Sequence, residues 1–138
     1  MNWLAWALLS ALFAALTAIL AKVGVANVNP NLATAIRTTV ILVFTWGIAC
    51  FTSSKADWSG IAPRAWLFLV ASGLATGLSW LCYFRALKLG EVAKVAPVDK
   101  LSVAIAIILA VIFLGEKLKL HEALGAGLIV LGVIVMVI

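Results

Sequence analysis

Val92–Leu114, with the sequence VAKVAPVDKLSVAIAIILAVIFL, is an apolar segment that contains Pro97, Asp99 and Lys100. Its uninterrupted apolar part, Leu101–Leu114, has only 14 residues, whereas a helix needs about 20 residues to cross a hydrocarbon core of about 30 Å. A helix that spans a membrane here must therefore take Asp99 and Lys100 into the bilayer. Because a charge at that depth costs about 2.5–3.5 kcal/mol on insertion scales, such residues usually face a partner or a water-filled cavity.

The composition of the whole chain also indicates a membrane protein. Of its 138 residues, 66% are hydrophobic and 11% are charged, whereas soluble domains are about 45–50% apolar and about 25% charged. The lipid bilayer is therefore its expected environment. The net charge of +5 does not indicate nucleic acid, because no basic cluster lies beside aromatic stacking groups.

Four further stretches have the length and composition of membrane spans. Together with the first they predict an all-α integral membrane protein with one domain, residues 1–138, and five transmembrane helices. The predicted helices cover residues 3–25, 32–51, 65–87, 92–114 and 122–138. The link between the third and fourth helices is so short that these two helices must be antiparallel neighbours. Five is an odd number, so the two termini lie on opposite sides of the membrane.

The distribution of Lys and Arg is nearly balanced between the two sides. The side with more Lys and Arg faces the cytoplasm, and here four residues lie on the N-terminal side and five, or six with Lys100, on the other. The two sets are Lys55, Arg64, Lys117 and Lys119, and Lys22, Arg37, Arg85, Lys88 and Lys94. The balance leans toward an outside N-terminus, and its small size suits insertion in both orientations.

Three runs of residues together resemble the EamA domain of the drug/metabolite transporter superfamily. They are Leu87–Pro97 (LKLGEVAKVAP), Phe113–Lys117 (FLGEK) and Gly125–Gly132 (GAGLIVLG). Tyr83–Leu87 (YFRAL) and Asn31–Arg37 (NLATAIR) are similar to further parts of that domain. The resemblance covers essentially the full chain, and the Leu-Gly-Glu run followed by a glycine-spaced last helix is its most specific part.

This resemblance implies a transporter built from repeats. Typical members have ten helices in two five-helix repeats, the second inverted, and this chain is similar to a single repeat. Inverted repeats place the substrate site between the two halves, near the midplane. The resemblance thus implies a multi-pass secondary transporter of the inner (cytoplasmic) cell membrane that exports or exchanges small metabolites or drugs. The other half would come from a second copy in an antiparallel homodimer, or from a paralogous chain in a heterodimer.

Asp99 is the first candidate for the chemistry of transport. A carboxyl group withdrawn from water favours its protonated form, so Asp99 would bind and release a proton during antiport. The alternative is a structural ion pair with Lys22, Arg37 or Arg85. Lys100 is not expected to be its sole partner, because adjacent residues of a helix point about 100° apart.

The other candidates lie on the third and fourth helices. Lys100 would attract an anionic substrate group or serve as a counter-ion, and Ser102 lies near it. Trp80 and Tyr83 would line a cavity for an aromatic or cationic substrate, or would simply pack between helices. Pro97 removes a backbone donor, so that a freed carbonyl could serve a ligand or a hinge.

Three cations have a simpler interpretation as anchors. Lys22 and Arg37 lie one to two turns from helix ends, where long cationic side chains extend to the lipid headgroups. Arg85 lies near the rim of the third helix.

The sequence contains no nucleophile with a base, no phosphate-binding loop and no metal-ligand cluster, so we expect no enzyme, no cofactor and no metal site. The first helix has no acidic residue, so the embedded Glu used by small multidrug-resistance transporters has no equivalent there. The main alternative function is a non-transporting assembly or regulatory subunit that pairs with another transporter chain. In that case Asp99 and Lys100 would be assembly contacts.

Overall fold

The computed structural model describes residues 2–54, 57 and 59–138. Its helices are α1 (Trp3–Val25), α2 (Pro30–Thr52), α3 (Pro63–Leu89), α4 (Val92–Asp99), α5 (Leu101–Leu109), a π-helical turn (Ala110–Leu114) and α6 (Leu120–Val137). No strand occurs in this described part of the chain. Lys55, one of the residues in the charge count, lies outside the described residues.

The helices are long and apolar enough to form five membrane spans, with Val92–Leu114 as one span. This confirms the predicted all-helical membrane fold. Each predicted helix boundary agrees with the observed one to within two residues. At most 6% of the most apolar window of any span is buried, as expected when lipid or another chain covers the apolar side chains.

The chain forms two compact units. One comprises the chain up to Ile19 together with Leu89–Ile138, and the other comprises Leu20–Lys88.

In the unit Leu20–Lys88, α2 begins with a well-formed cap. The side chain of Asn29 accepts a hydrogen bond from the Asn31 N–H at 2.9 Å, and Pro30 occupies the first helical position, which needs no N–H donor. Further along, the Thr34 hydroxyl donates to the Pro30 carbonyl and the Thr38 hydroxyl to the Thr34 carbonyl, each at 2.8 Å. These threonine hydroxyls are thus satisfied within the helix, as an apolar environment requires.

The core of this unit lies at one end, where α1 ends, α2 begins and α3 ends. Val25 and Leu87 are 0% exposed and Phe84 is 3% exposed. Thr34 is also buried there, with its hydroxyl bonded to its own helix.

In the unit that contains Leu89–Ile138, α6 packs against both α4 and α5. The fourth span is not the continuous helix that the sequence predicts, because α4 ends at Asp99 and α5 begins at Leu101. Lys100 between them has a ψ of −7°, and its N–H donates to the Pro97 carbonyl, three residues back, at 2.9 Å. This tighter hydrogen bond replaces the usual one to the residue four back, directly after the proline that removed a donor.

The far end of the fourth span closes on a glycine. The last turn, Ala110–Leu114, is π-helical, and Gly115 has a φ of +67°. The N–H groups of Gly115 and Glu116 both point to the Ala110 carbonyl, and such a left-handed cap strongly favours glycine. This geometry explains the glycine in the Leu-Gly-Glu run at residues 114–116. Glu122 then starts α6 by accepting the Lys119 N–H at 2.8 Å, and its negative charge suits a helix N-terminus.

Candidate functional site

Asp99 and Lys100 lie at the interruption of the fourth span. Asp99 is the eighth residue of the 23-residue span, about 10 Å along the axis from Val92 at 1.5 Å per residue. Lys100 Nζ lies 3.2 Å from Asp99 Oδ2. The pair joins the last residue of α4 to the residue that lies between α4 and α5. The long Lys100 side chain reaches Asp99 although adjacent residues of a helix point about 100° apart.

This ion pair is open to its surroundings. The Lys100 side chain is 55% exposed and the Asp99 side chain 37% exposed, and the most apolar window of this span has no buried residue. Ser102 is exposed in the first turn of α5. The site therefore presents an acceptor carboxylate and a donor ammonium group side by side.

The backbone next to the ion pair supplies further polar groups. Pro97 has no N–H, so the Ala93 carbonyl lacks its usual helical donor four residues on. The Lys100 N–H donates to Pro97, so the Ala96 carbonyl also lacks this donor. Carbonyls at a helix interruption are groups that transporters use to coordinate cations.

A second cluster, which we call the arginine–aromatic cluster, joins α2 and α3 within the unit Leu20–Lys88. Cζ of Arg37 lies 4.3 Å from the ring centroid of Trp80 and 5.6 Å from that of Phe84, within the range of a cation–π interaction. Tyr83 lies in the same part of α3, one residue before Phe84. Trp80, which was predicted to line a cavity for an aromatic or cationic substrate or to pack between helices, therefore lies against a cation of the chain itself.

Three further cations in this unit bind oxygen atoms. Lys22 Nζ donates to the Leu87 carbonyl at 2.6 Å, and Lys88 Nζ donates to the Val28 carbonyl at 2.9 Å. Arg85 Nη2 donates to Asn31 Oδ1 at 3.2 Å. Lys22 and Lys88 lie in the last turns of α1 and α3, where a positive charge is favourable because the final carbonyls have no helical donors.

The residues proposed as partners of Asp99 thus each have another recorded contact, and Asp99 itself pairs with Lys100. Sequence reasoning did not include Phe84 in the site. The signal that could have found it is its position four residues after Trp80, which places both rings on one face of α3.

A cavity of about 300 Å³ lies at the end of the fourth span, away from the predicted site residues. It is lined by Ile107, Val111, Glu116, Lys117, Leu118 and Glu122. Within the described residues, no group of three or more His, Cys, Asp and Glu side chains is placed to hold a metal ion.

Comparison with known proteins gives consistent results. The chain matches the model of the EamA-like transporter family over residues 1–138. It is 55% identical, over 137 residues, to a Sinorhizobium sp protein named "Uncharacterized transporter in cobO 3'region", a match that covers 99% of this chain and 97% of that protein. It is 30% identical, over 128 residues, to the Bacillus subtilis (strain 168) protein "Uncharacterized transporter YxxF". This second match covers 92% of this chain but only 40% of the Bacillus protein. No solved structure matches this chain. With its five apolar spans and this full-length match, the chain belongs to the EamA-like transporter family.

Proposed function

We propose that this chain is one half of a secondary transporter of small molecules in the cytoplasmic membrane, and that two copies in opposite orientations form the working unit. The observation that carries this proposal is the open ion pair of Asp99 and Lys100 about 10 Å inside an interrupted span. Charges at that depth are costly against lipid, so a second chain or a water-filled pathway must cover them.

Interrupted helices are a common way to build a transport site. At such a break, the end of one half-helix and its unbonded carbonyls favour a cation, whereas the start of the other favours an anion. Asp99 closes α4 and Leu101 opens α5, so this break offers both. Protonation of Asp99 would release Lys100, and this change would couple proton binding to the substrate and to the direction of export or exchange.

The lengths of the relatives support a dimer. The Sinorhizobium protein has nearly the length of this chain, whereas the Bacillus protein is more than twice as long. A unit of five spans joined to a second such unit is inverted by the odd number of crossings. A second copy of this chain must therefore insert upside down to reproduce an inverted repeat, which its nearly balanced Lys and Arg residues suit.

The test is the orientation of the C-terminus in cells. A reporter active only in the cytoplasm and one active only outside it are each fused after Ile138. We expect both fusions to be active, because the chain inserts both ways. Activity from only one fusion would exclude the inverted homodimer and favour either a paralogous partner chain or the non-transporting subunit.

A matched pair of variants makes this test sharper. Arg64 and Lys94 belong to the two sets of cations that are predicted to lie on opposite sides of the membrane. Arg64→Gln and Lys94→Gln should therefore shift the ratio of the two reporter activities in opposite directions. Equal shifts in the same direction would show that the ratio reports expression rather than orientation.

A further inference from the structure

The arginine–aromatic cluster holds a planar charge inside a membrane span. Arg37 is the eighth residue of α2, about 10 Å along the helix from Pro30. We propose that the Arg37 guanidinium, backed by Trp80, binds the carboxylate or phosphate group of the transported molecule, so that the substrates are small organic anions. This inference rests on the proposed transport function and names its substrate class.

The donors of Arg37 are uncommitted. Lys22, Arg85 and Lys88 each donate a hydrogen bond to an oxygen atom, whereas Arg37 has neither a hydrogen bond nor an ion pair among the residues that the structure describes. Its recorded contacts are with aromatic rings. A ring that lies against the guanidinium leaves its N–H edge open, and this edge is a fork of donors that matches a carboxylate or a phosphate.

The counter-anion of Arg37 does not come from its own unit. Leu20–Lys88 contains a single acidic residue, Asp57, and the backbone and hydroxyl of Ser54 both donate to that carboxylate. Helix α2 ends at Thr52, about 22 Å along the helix axis from Arg37. Asp57 lies beyond that end in the sequence. An arginine at this depth without a counter-ion is costly. An anion that enters the membrane is therefore stabilised when it binds Arg37.

The rings around Arg37 select the rest of the ligand. Trp80 and Phe84 place aromatic surface beside the guanidinium, which favours a ligand with a planar or apolar body. A cationic ligand is disfavoured, because Arg37 repels it and already lies over the face of Trp80 that would bind it. The substrate is therefore an anion, rather than the cation that a tryptophan without a cationic neighbour would predict.

The test is a titration of the full chain in dodecyl maltoside micelles with benzoate and with benzylammonium, followed by calorimetry. These probes share a ring and carry opposite charges. We expect benzoate to bind and benzylammonium not to bind. Arg37→Gln should abolish benzoate binding, and Arg37→Lys, which keeps the charge but loses the fork, should weaken it about 10- to 100-fold.

Arg64 provides the matched control. Its Cζ lies 5.8 Å from the Phe68 ring centroid, at the exposed start of α3. Arg64→Gln makes the same charge change and should leave benzoate affinity unchanged. If Arg37→Gln fails to fold, as judged by gel filtration and circular dichroism, benzoate binding is measured with Arg37→Lys and Trp80→Leu instead. Trp80→Leu should lower the benzoate affinity a few-fold.

A lipid phosphate offers Arg37 the same chemistry, so a second titration uses phosphatidylglycerol added to the micelles. Arg37-dependent binding of this lipid without benzoate binding would assign the cluster to headgroups and overturn the proposal. Binding of benzylammonium, or equal benzoate binding by the Arg37 variants, would also overturn it. Because the titration requires neither transport nor dual orientation, a transporter that moves cations and binds no benzoate would refute this inference and leave the proposed function intact.

Discussion

The unit Leu20–Lys88 and the fourth span differ in what the charged side chains of their helices contact. In the first, Lys22 and Lys88 donate hydrogen bonds to backbone carbonyls beside a core in which Val25 and Leu87 are fully buried. In the second, Asp99 and Lys100 pair with each other beside the interruption of the span, and both remain exposed. Lys22 and Lys88 thus contact the backbone of their own unit, whereas Asp99 and Lys100 form a charged pair that is not bonded to helix-end carbonyls. The first arrangement predicts a role in stability, and the second predicts a role in transport.

The largest effect is expected from Asp99→Asn, which removes the proton-binding group at nearly constant shape. This variant should abolish uptake driven by a pH gradient in proteoliposomes, measured with benzenesulfonate and with tetraphenylphosphonium as anionic and cationic probes. The gel-filtration profile should not change, because the substitution keeps the shape of the side chain and its ability to form hydrogen bonds. Glu91→Gln is the control, since Glu91 is exposed just before α4. Uptake by Asp99→Asn at the wild-type rate would show that the carboxylate is structural and would remove the contrast between the two regions.

The opposite behaviour is expected at the core of the unit Leu20–Lys88. Leu87→Ala creates a cavity at a fully buried position and should lower the free energy of unfolding by about 2–5 kcal/mol. Leu89→Ala, two residues along the same helix, is the matched control, because Leu89 is 90% exposed. Denaturation followed by circular dichroism in micelles measures both. Equal losses for the two variants would show that this end of the unit is not a packed core.

The sequence predicts the spans because length and hydropathy act on single segments. Five apolar stretches of about 20 residues have only one way to satisfy their backbone groups in lipid, which is to form helices. The glycine after Leu114 also has a local cause, since the left-handed cap at Gly115 needs a residue without a Cβ atom.

The site is less predictable because it depends on contacts between segments. Pro97 shows that a donor is missing, but which later residue leaves the helical conformation depends on how α4 and α5 pack against α6. The pairing of Asp99 with Lys100 depends on the rotamers of these two side chains, which the sequence does not specify. The contact of Arg37 with Trp80 depends on how α2 packs against α3, and no local pattern encodes it.

The smallest effect concerns the other aspartate, Asp57, which extends the comparison to carboxylates. The Ser54 backbone N–H and hydroxyl donate to Asp57 Oδ2 at 2.7 and 2.8 Å, and these hydrogen bonds lower the pKa of Asp57 below its usual value. A lowered pKa in the folded state means that the ionised form stabilises this link. The stabilisation is present above the ordinary pKa of about 3.9 and is lost as the pH falls through the lowered value.

Ser54→Ala removes the hydroxyl donor and should raise the pKa of Asp57 part of the way back, since the backbone donor remains. Nuclear magnetic resonance of the carboxyl carbon during an acid titration measures this directly. An unchanged Asp57 pKa in Ser54→Ala would mean that the backbone N–H alone holds this pKa low, and the contribution assigned to the Ser54 hydroxyl would be wrong.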